Sequence, residues 1–209
     1  VIEALTEENS ARALYLFPTK ALAQDQLRGV RELAVPYLLK DKEVVTFDGD
    51  TPHHERAAVR KGARIVLTNP DMLHLGILPN HESWPRLFCG LKYVVIDEAH
   101  TYRGVFGSHL ANVLRRLRRL CKVYGSNPVF ICSSATISNP RELAEGLTGL
   151  PFHIVDEDGS PQAQKFFIFW NPPLLDKKDG ARGSANTEAV RIFTELIKNR
   201  IRSLVFART

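Results

Sequence analysis

Leu91–His100 reads LKYVVIDEAH. A run of apolar β-formers, Tyr93-Val94-Val95-Ile96, leads directly into two adjacent carboxylates, Asp97 and Glu98. The run reads as a strand covered on both faces, yet neighbouring negative charges repel and each is costly to desolvate. A strand that ends this way must deliver its acids to a cation or to free water. In a parallel sheet, ligands bind at the carboxyl ends of the strands, and Asp97 and Glu98 would stand at one of them.

Four further apolar runs surround this one: Ala13–Phe17 (ALYLF), Val44–Phe47 (VVTF), Ile65–Leu67 (IVL) and Val129–Cys132 (VFIC). Each is continuous rather than alternating, as strands buried on both faces should be. Between them, Ala21–Ala34 and His109–Tyr124 have helical spacing. The alternation predicts an α/β fold, a parallel sheet with helices on both faces. After Trp170 the composition changes. Residues 171–186 (NPPLLDKKDGARGSAN) read as a linker, Glu188–Ile201 as a helix, and Ser203–Thr209 (SLVFART) as the start of another buried strand. A lone helix and strand cannot bury a core. The expected division is therefore a first domain over 1–170, a linker over 171–186, and the opening of a second domain over 187–209.

The 209 residues are 44% hydrophobic and 24% charged, ordinary for a globular protein. No apolar run approaches the ~20 residues that cross a bilayer, so no membrane association is expected. Nor does the N-terminal stretch carry a basic start and apolar core of the secretory kind. Cys89, Cys121 and Cys132 contain no C-x-x-C pair, which argues against a disulfide framework and for a reducing, intracellular setting. The net charge of +5 is compatible with a nucleic-acid partner. His53-His54-Glu55 lacks the spacing of a metal site.

Four other stretches carry chemistry. If a nucleotide occupies the acidic strand end, Asp97 binds Mg²⁺ through water and Glu98 deprotonates the water that attacks the γ-phosphate; the alternative is a solvated acidic turn. In Val129–Ile137 (VFICSSATI), Ser134 and Thr136 flank a small residue and can bridge to the Asp97–His100 loop, or can satisfy a common turn. In Phe17–Gln26 (FPTKALAQDQ), Thr19 caps a helix and Lys20 sits in its first turn. That end of a helix disfavours a cation, so an external phosphate would explain the lysine. In Ile65–Leu73 (IVLTNPDML), Asn69 caps and Pro70 opens a helix, leaving Thr68 for a phosphate. Thr51 is expected to cap a similar start at Pro52. On the helix after DEAH, Arg115, Arg116, Arg118, Arg119 and Lys122 lie opposite a stripe of Leu110, Val113, Leu114, Leu117 and Cys121. The arginines read as a solvated face over a buried stripe ahead of a DNA-binding ridge.

In order, FPTKALAQDQ, TNPDML, DEAH, SAT and SLVFART resemble motifs Ia, Ib, II, III and IV of superfamily-two DExH-box helicases. DEAHTYRGVFGSHLANVLRRLRRL and SSATISNPRELAEGLTGLPF more closely resemble the Hrq-type group of RecQ-like DNA helicases and their bacterial relatives of the MrfA (YprA) type. TYRGVFGSH departs from the aromatic-rich loop of conventional RecQ. The resemblance implies two RecA-like domains with ATP and Mg²⁺ between them. It implies three-prime to five-prime translocation on single-stranded or forked DNA, in DNA repair. Asp97 and Glu98 would then be catalytic, with Asp97 holding Mg²⁺ through water. His100, Ser134 and Thr136 would couple hydrolysis to movement, and Thr19, Lys20 and Thr68 would hold one strand's backbone. The setting would be nuclear in a eukaryote and cytoplasmic in a bacterium; which proteins it partners is left open. No G-x-x-x-x-G-K-[ST] loop occurs in the 209 residues. The resemblance puts that loop before Val1 and the arginine motifs after Thr209, so these residues alone are expected to bind ATP poorly and not to turn it over. A DExH RNA helicase and a nucleic-acid-binding module without catalysis are the alternatives.

Overall fold

Five short strands, β1 (Arg12–Leu16), β2 (Val44–Thr46), β3 (Ile65–Thr68), β4 (Leu91–Ile96) and β5 (Val129–Cys132), form one parallel sheet in the order β2-β3-β1-β4-β5. The computed structural model describes residues 1–157, 159–161, 163–175 and 179–206. Successive residues of each strand point to opposite faces. In β1, Leu14 and Leu16 enter one apolar core while Ala13 enters the other; in β3, Val66 joins the first core, and Ile65 and Leu67 the second. That is why the runs are continuously apolar.

Helices α1 (Ile2–Glu7) and α2 (Lys20–Ala34) cover one face. The other face is covered by α3 (His53–Gly62), a short α4 (Pro70–Met72) that continues as a π turn (Leu73–Ile77), α5 (Pro85–Gly90), α6 (Gly104–Val123) and α7 (Pro140–Thr148). The chain leaves β1 toward the α2 face and leaves β4 toward the α6 face. Strand ends whose loops depart to opposite faces open a crevice between them, the usual ligand position in such sheets. Asp97 follows β4 at the rim of this crevice.

Two expectations need correction. Val129 and Ile131 of β5 are exposed, so this strand is covered on one face only. Thr51 does not cap α3; Pro52 occupies the cap position and the Thr51 hydroxyl accepts from the Asp48 N–H at 2.9 Å. The local turn Asp48–Thr51 captures that hydroxyl before the helix begins.

The chain divides into two compact units, Val1–Asp156 and Glu157–Thr209. Phe166–Trp170, expected in the first domain, falls in the second unit. Of the predicted linker, residues 176–178 lie outside the described residues. Around them Leu174 and Arg182 form an antiparallel bridge, closed by Leu175 N–H to Ala181 O at 2.8 Å. Helix α8 (Ala185–Lys198) forms as expected. Ser203–Phe206, predicted as a strand, is irregular, and residues 207–209 lie outside the described residues. A strand needs a neighbour to satisfy its backbone groups. Among the described residues no helix is long and apolar enough to cross a membrane.

Candidate functional site

The acidic loop is tied to both neighbouring strands by its backbone. Asp97 N–H donates to Leu16 O of β1 at 2.9 Å, Ala99 N–H donates to Ser133 O at 2.9 Å, and Ser133 N–H returns to Ile96 O at 3.0 Å. The ladder thus continues past the ends of β1, β4 and β5. Glu98 sits in the left-handed region, at φ 50° and ψ 42°. For a residue with a Cβ that costs about 1–2 kcal/mol. Its carbonyl is held by the Thr101 N–H at 2.9 Å and the Thr101 hydroxyl at 2.8 Å. Among the described residues Leu38 and Arg200 are the other non-glycine residues in this region, and Glu98 is the one that follows a buried strand of the sheet.

His100 joins this loop to the one after β5. Its Nδ1 accepts the Ala135 N–H at 3.2 Å. The ring proton is therefore on Nε2, which faces Glu98 Oε2 at 3.3 Å. The Ser133 hydroxyl donates to Asp97 Oδ1. Beneath the loop Tyr102 is buried, its phenol held well above its ordinary range by desolvation first and by Asp97, Cys132 and Glu98 in addition. Burial likewise pushes the Cys132 thiol up to about 11.

The bridging expected of Ser134 and Thr136 is made by other groups. Ser134 turns its hydroxyl to Ala135 O at 3.0 Å, and the Thr136 side chain makes no hydrogen bond among the described residues. Ser133 and the Ala135 backbone carry the connection. The reason is register. Ile96 pairs with Cys132, so Asp97 stands opposite Ser133, one residue earlier than the hydroxyl pattern suggested.

Asp97 and Glu98 offer hard oxygen donors, the kind Mg²⁺ takes, and Asp97 has no ion pair among the described residues. Those residues contain no group of three or more His, Cys, Asp or Glu able to hold a metal. The donor set suits an ion held through water and phosphate oxygens rather than a protein cage.

On the other side of the crevice, Thr19 caps α2 as expected, its hydroxyl accepting Leu22 N–H at 3.2 Å. Lys20 opens that helix, and its Nζ lies 2.7 Å from Asp50 Oδ2, with both groups exposed. The hydrogen bond and charge of Asp50 raise the Lys20 pKa. So the lysine that was expected to wait for an external anion already has an internal one. The turn behind it is framed by buried Asp48, whose carboxylate accepts from Gln24 Nε2 at 2.8 Å and from Asp50 N–H at 2.9 Å. Asp48, Asp50 and Gln24 were missed. The Asp-x-Asp spacing before Thr51-Pro52 is the turn signal that marks the two acids; Gln24 reaches Asp48 from α2, and no local pattern marks it.

Thr68 is not available for the phosphate contact expected of it. Its side chain is fully buried and its hydroxyl donates to Phe47 O at 2.6 Å, locking β3 to the end of β2. Asn69 is the first polar side chain beyond it. Its Oδ1 caps α4 by accepting Met72 N–H at 2.8 Å.

Set against known proteins, residues 1–143 match the profile of the DEAD/DEAH box helicases. The chain belongs to this family. It is 53% identical over 209 residues to the ATP-dependent helicase YprA of Bacillus subtilis, a match covering 100% of this chain and 28% of that protein. To the ATP-dependent helicase HRQ1 of Saccharomyces cerevisiae it is 43% identical over 210 residues, covering 98% of this chain and 19% of that protein. The crystal structure of the DUF1998 helicase MrfA bound to DNA and AMPPNP superposes with a TM-score of 0.93 at 53% identity, covering 100% of this chain and 29% of that one. The chain thus spans less than a third of the length of each of these relatives. The sheet with its flanking helices is the RecA-like helicase fold, and the expected kinship with the Hrq and MrfA group holds.

Proposed function

We propose that this chain is part of an ATP-dependent DNA helicase that couples hydrolysis to three-prime to five-prime movement along single-stranded or forked DNA, in DNA repair. On this reading the first unit belongs to the ATP-binding RecA-like domain, and the helix near the C-terminus opens the second. The observation that carries it is the Asp97–His100 loop, with its backbone bonded to the ends of β1 and β5, Glu98 held in the left-handed region and its carboxylate against His100. Intracellular action, nuclear or bacterial cytoplasmic, follows from the same reading.

Bound Mg²⁺ would neutralise charge on the β- and γ-phosphates. Asp97 would hold that ion through its waters, with its carboxylate oriented by the Ser133 hydroxyl. Glu98 accepts the proton of the attacking water, positioned by Nε2–H of His100. Through Nδ1, His100 is also bonded to the Ala135 N–H, so a shift of the β5 loop moves the ring that orients the base. Thr19 and Lys20 take the backbone phosphates of one strand, with Lys20 exchanging Asp50 for a phosphate.

The test is nucleotide turnover by the full-length protein with single-stranded DNA, with RNA of equal length, and with neither. Stimulation by DNA over RNA, and strand displacement only from a three-prime overhang, are expected. Equal stimulation by RNA would overturn the DNA assignment. Absence of any turnover at saturating ATP and Mg²⁺ would leave a binding module instead.

A further inference from the structure

Helix α6 carries five cations on its outer side, and the structure separates them by what they touch. Arg118 donates to Thr148 O at 2.9 Å and so closes the end of α7. Arg115 donates to Asn112 Oδ1 at 3.1 Å. Arg116 and Arg119 have neither a hydrogen bond nor an ion pair among the described residues. Both line a cleft of about 490 Å³ between α6 and the α4–π segment, with His74, His109, Phe106 and Asp71. Two guanidinium groups face one carboxylate, so the cleft has a cationic excess even with both imidazoles neutral. Phe106 is 40% exposed, an apolar ring at the mouth of a charged cleft.

Three features of this cleft bear on its occupant. Its cations are unspent, whereas Arg118 on the same helix is consumed by the fold. It combines fixed positive charge with an exposed ring, the pairing that holds a sugar–phosphate backbone and stacks a base. It also begins at the carboxyl end of β3, because Pro70 and Asp71 line it and follow Thr68-Asn69 directly.

We propose that this cleft binds the continuation of the same single DNA strand, with Arg116 and Arg119 on its phosphates and Phe106 against a base. The inference rests on the nucleic-acid reading above and extends the footprint of the strand from the sheet edge onto the α6 face. A short strand would end before the cleft, and a longer one would fill it.

Fluorescence anisotropy of the full-length protein with a length series of oligo(dT), at several salt concentrations, tests this. The double variant Arg116→Gln, Arg119→Gln keeps the side-chain stems and removes both charges. It should bind short oligonucleotides as the wild type does and lose the affinity gained with length, about tenfold on the longest, with a salt slope shallower by roughly 1.4 at ~0.7 per single-strand phosphate contact. Phe106→Ala should lose part of the same gain with an unchanged slope. Arg115→Gln should match the wild type throughout. Wild-type length dependence in the double variant, or a loss equal at every length, overturns the proposal. Lys20→Ala separates the two readings: weaker binding at all lengths keeps the primary grip whatever the cleft does, whereas an unchanged Lys20→Ala would sink the grip itself.

Discussion

The loops that leave β4 and β1 start from neighbouring strand ends and are built in opposite ways. After β4, backbone bonds reach Leu16 on one side and Ser133 on the other, and the Asp97 and His100 side chains are bonded to the β5 loop. After β1, Thr19 is a local cap and Lys20 is an exposed lysine against an exposed Asp50. In-line attack on phosphorus tolerates little misplacement, so a base at Glu98, as proposed, would need the fixed frame found there even at the cost of a left-handed backbone. Contact with a polyanion needs charge and reach more than fixed geometry, and an exposed pair that can be exchanged suffices.

Glu98→Gln should produce the largest contrast between the two loops. Turnover should fall by about 10²–10⁴, the usual worth of a general base, while nucleotide and DNA affinity stay within a few-fold. Steady-state hydrolysis beside equilibrium titration measures both, and hydrolysis within a few-fold of wild type would remove Glu98 from the role.

Thr68→Val sharpens the boundary between framework and interface. The buried carbonyl of Phe47 would lose its partner, at about 1–3 kcal/mol of stability. Denaturant unfolding should register that loss while DNA affinity of the folded protein is unchanged. A fall in affinity with no loss of stability would return Thr68 to the phosphate row.

Replacing Ser133 by Ala should lower turnover about tenfold, the effect of ~1.4 kcal/mol at the bond to Asp97. Ser134→Ala should leave it unchanged. If the two were reversed, the bridging assignment made from register would be wrong.

The smallest effect belongs to Asp50→Asn. Releasing Lys20 from an exposed pair should tighten single-strand binding by about two- to threefold, in keeping with the weakness of such pairs. Weaker binding instead would mean that Asp50 pre-positions the lysine rather than competing for it.

Much of this could be read from local pattern. Continuous apolar runs located all five strands to within about two residues; in β1 and β3 the continuity comes from burial on both faces, whereas β5 is apolar throughout with one face exposed. Thr19 and Asn69 were legible as caps, since a cap is satisfied by an N–H three residues on. Two acids after a buried strand likewise marked the loop at the carboxyl end of β4.

By itself, then, the sequence determined the parallel α/β fold, the family and the position of Asp97 and Glu98, all of which depend on residues near one another in the chain. Only the tertiary structure decided which hydroxyl meets Asp97, because the pairing of β4 with β5 is set by packing across the sheet. It also decided that Thr68 is buried under Phe47, that Lys20 has a carboxylate thirty residues away, and that the arginines of α6 divide between the end of α7 and an open cleft. In each case the partner comes from a distant part of the chain, and spacing along one segment carries no information about which neighbour the folded sheet and helices will bring to it.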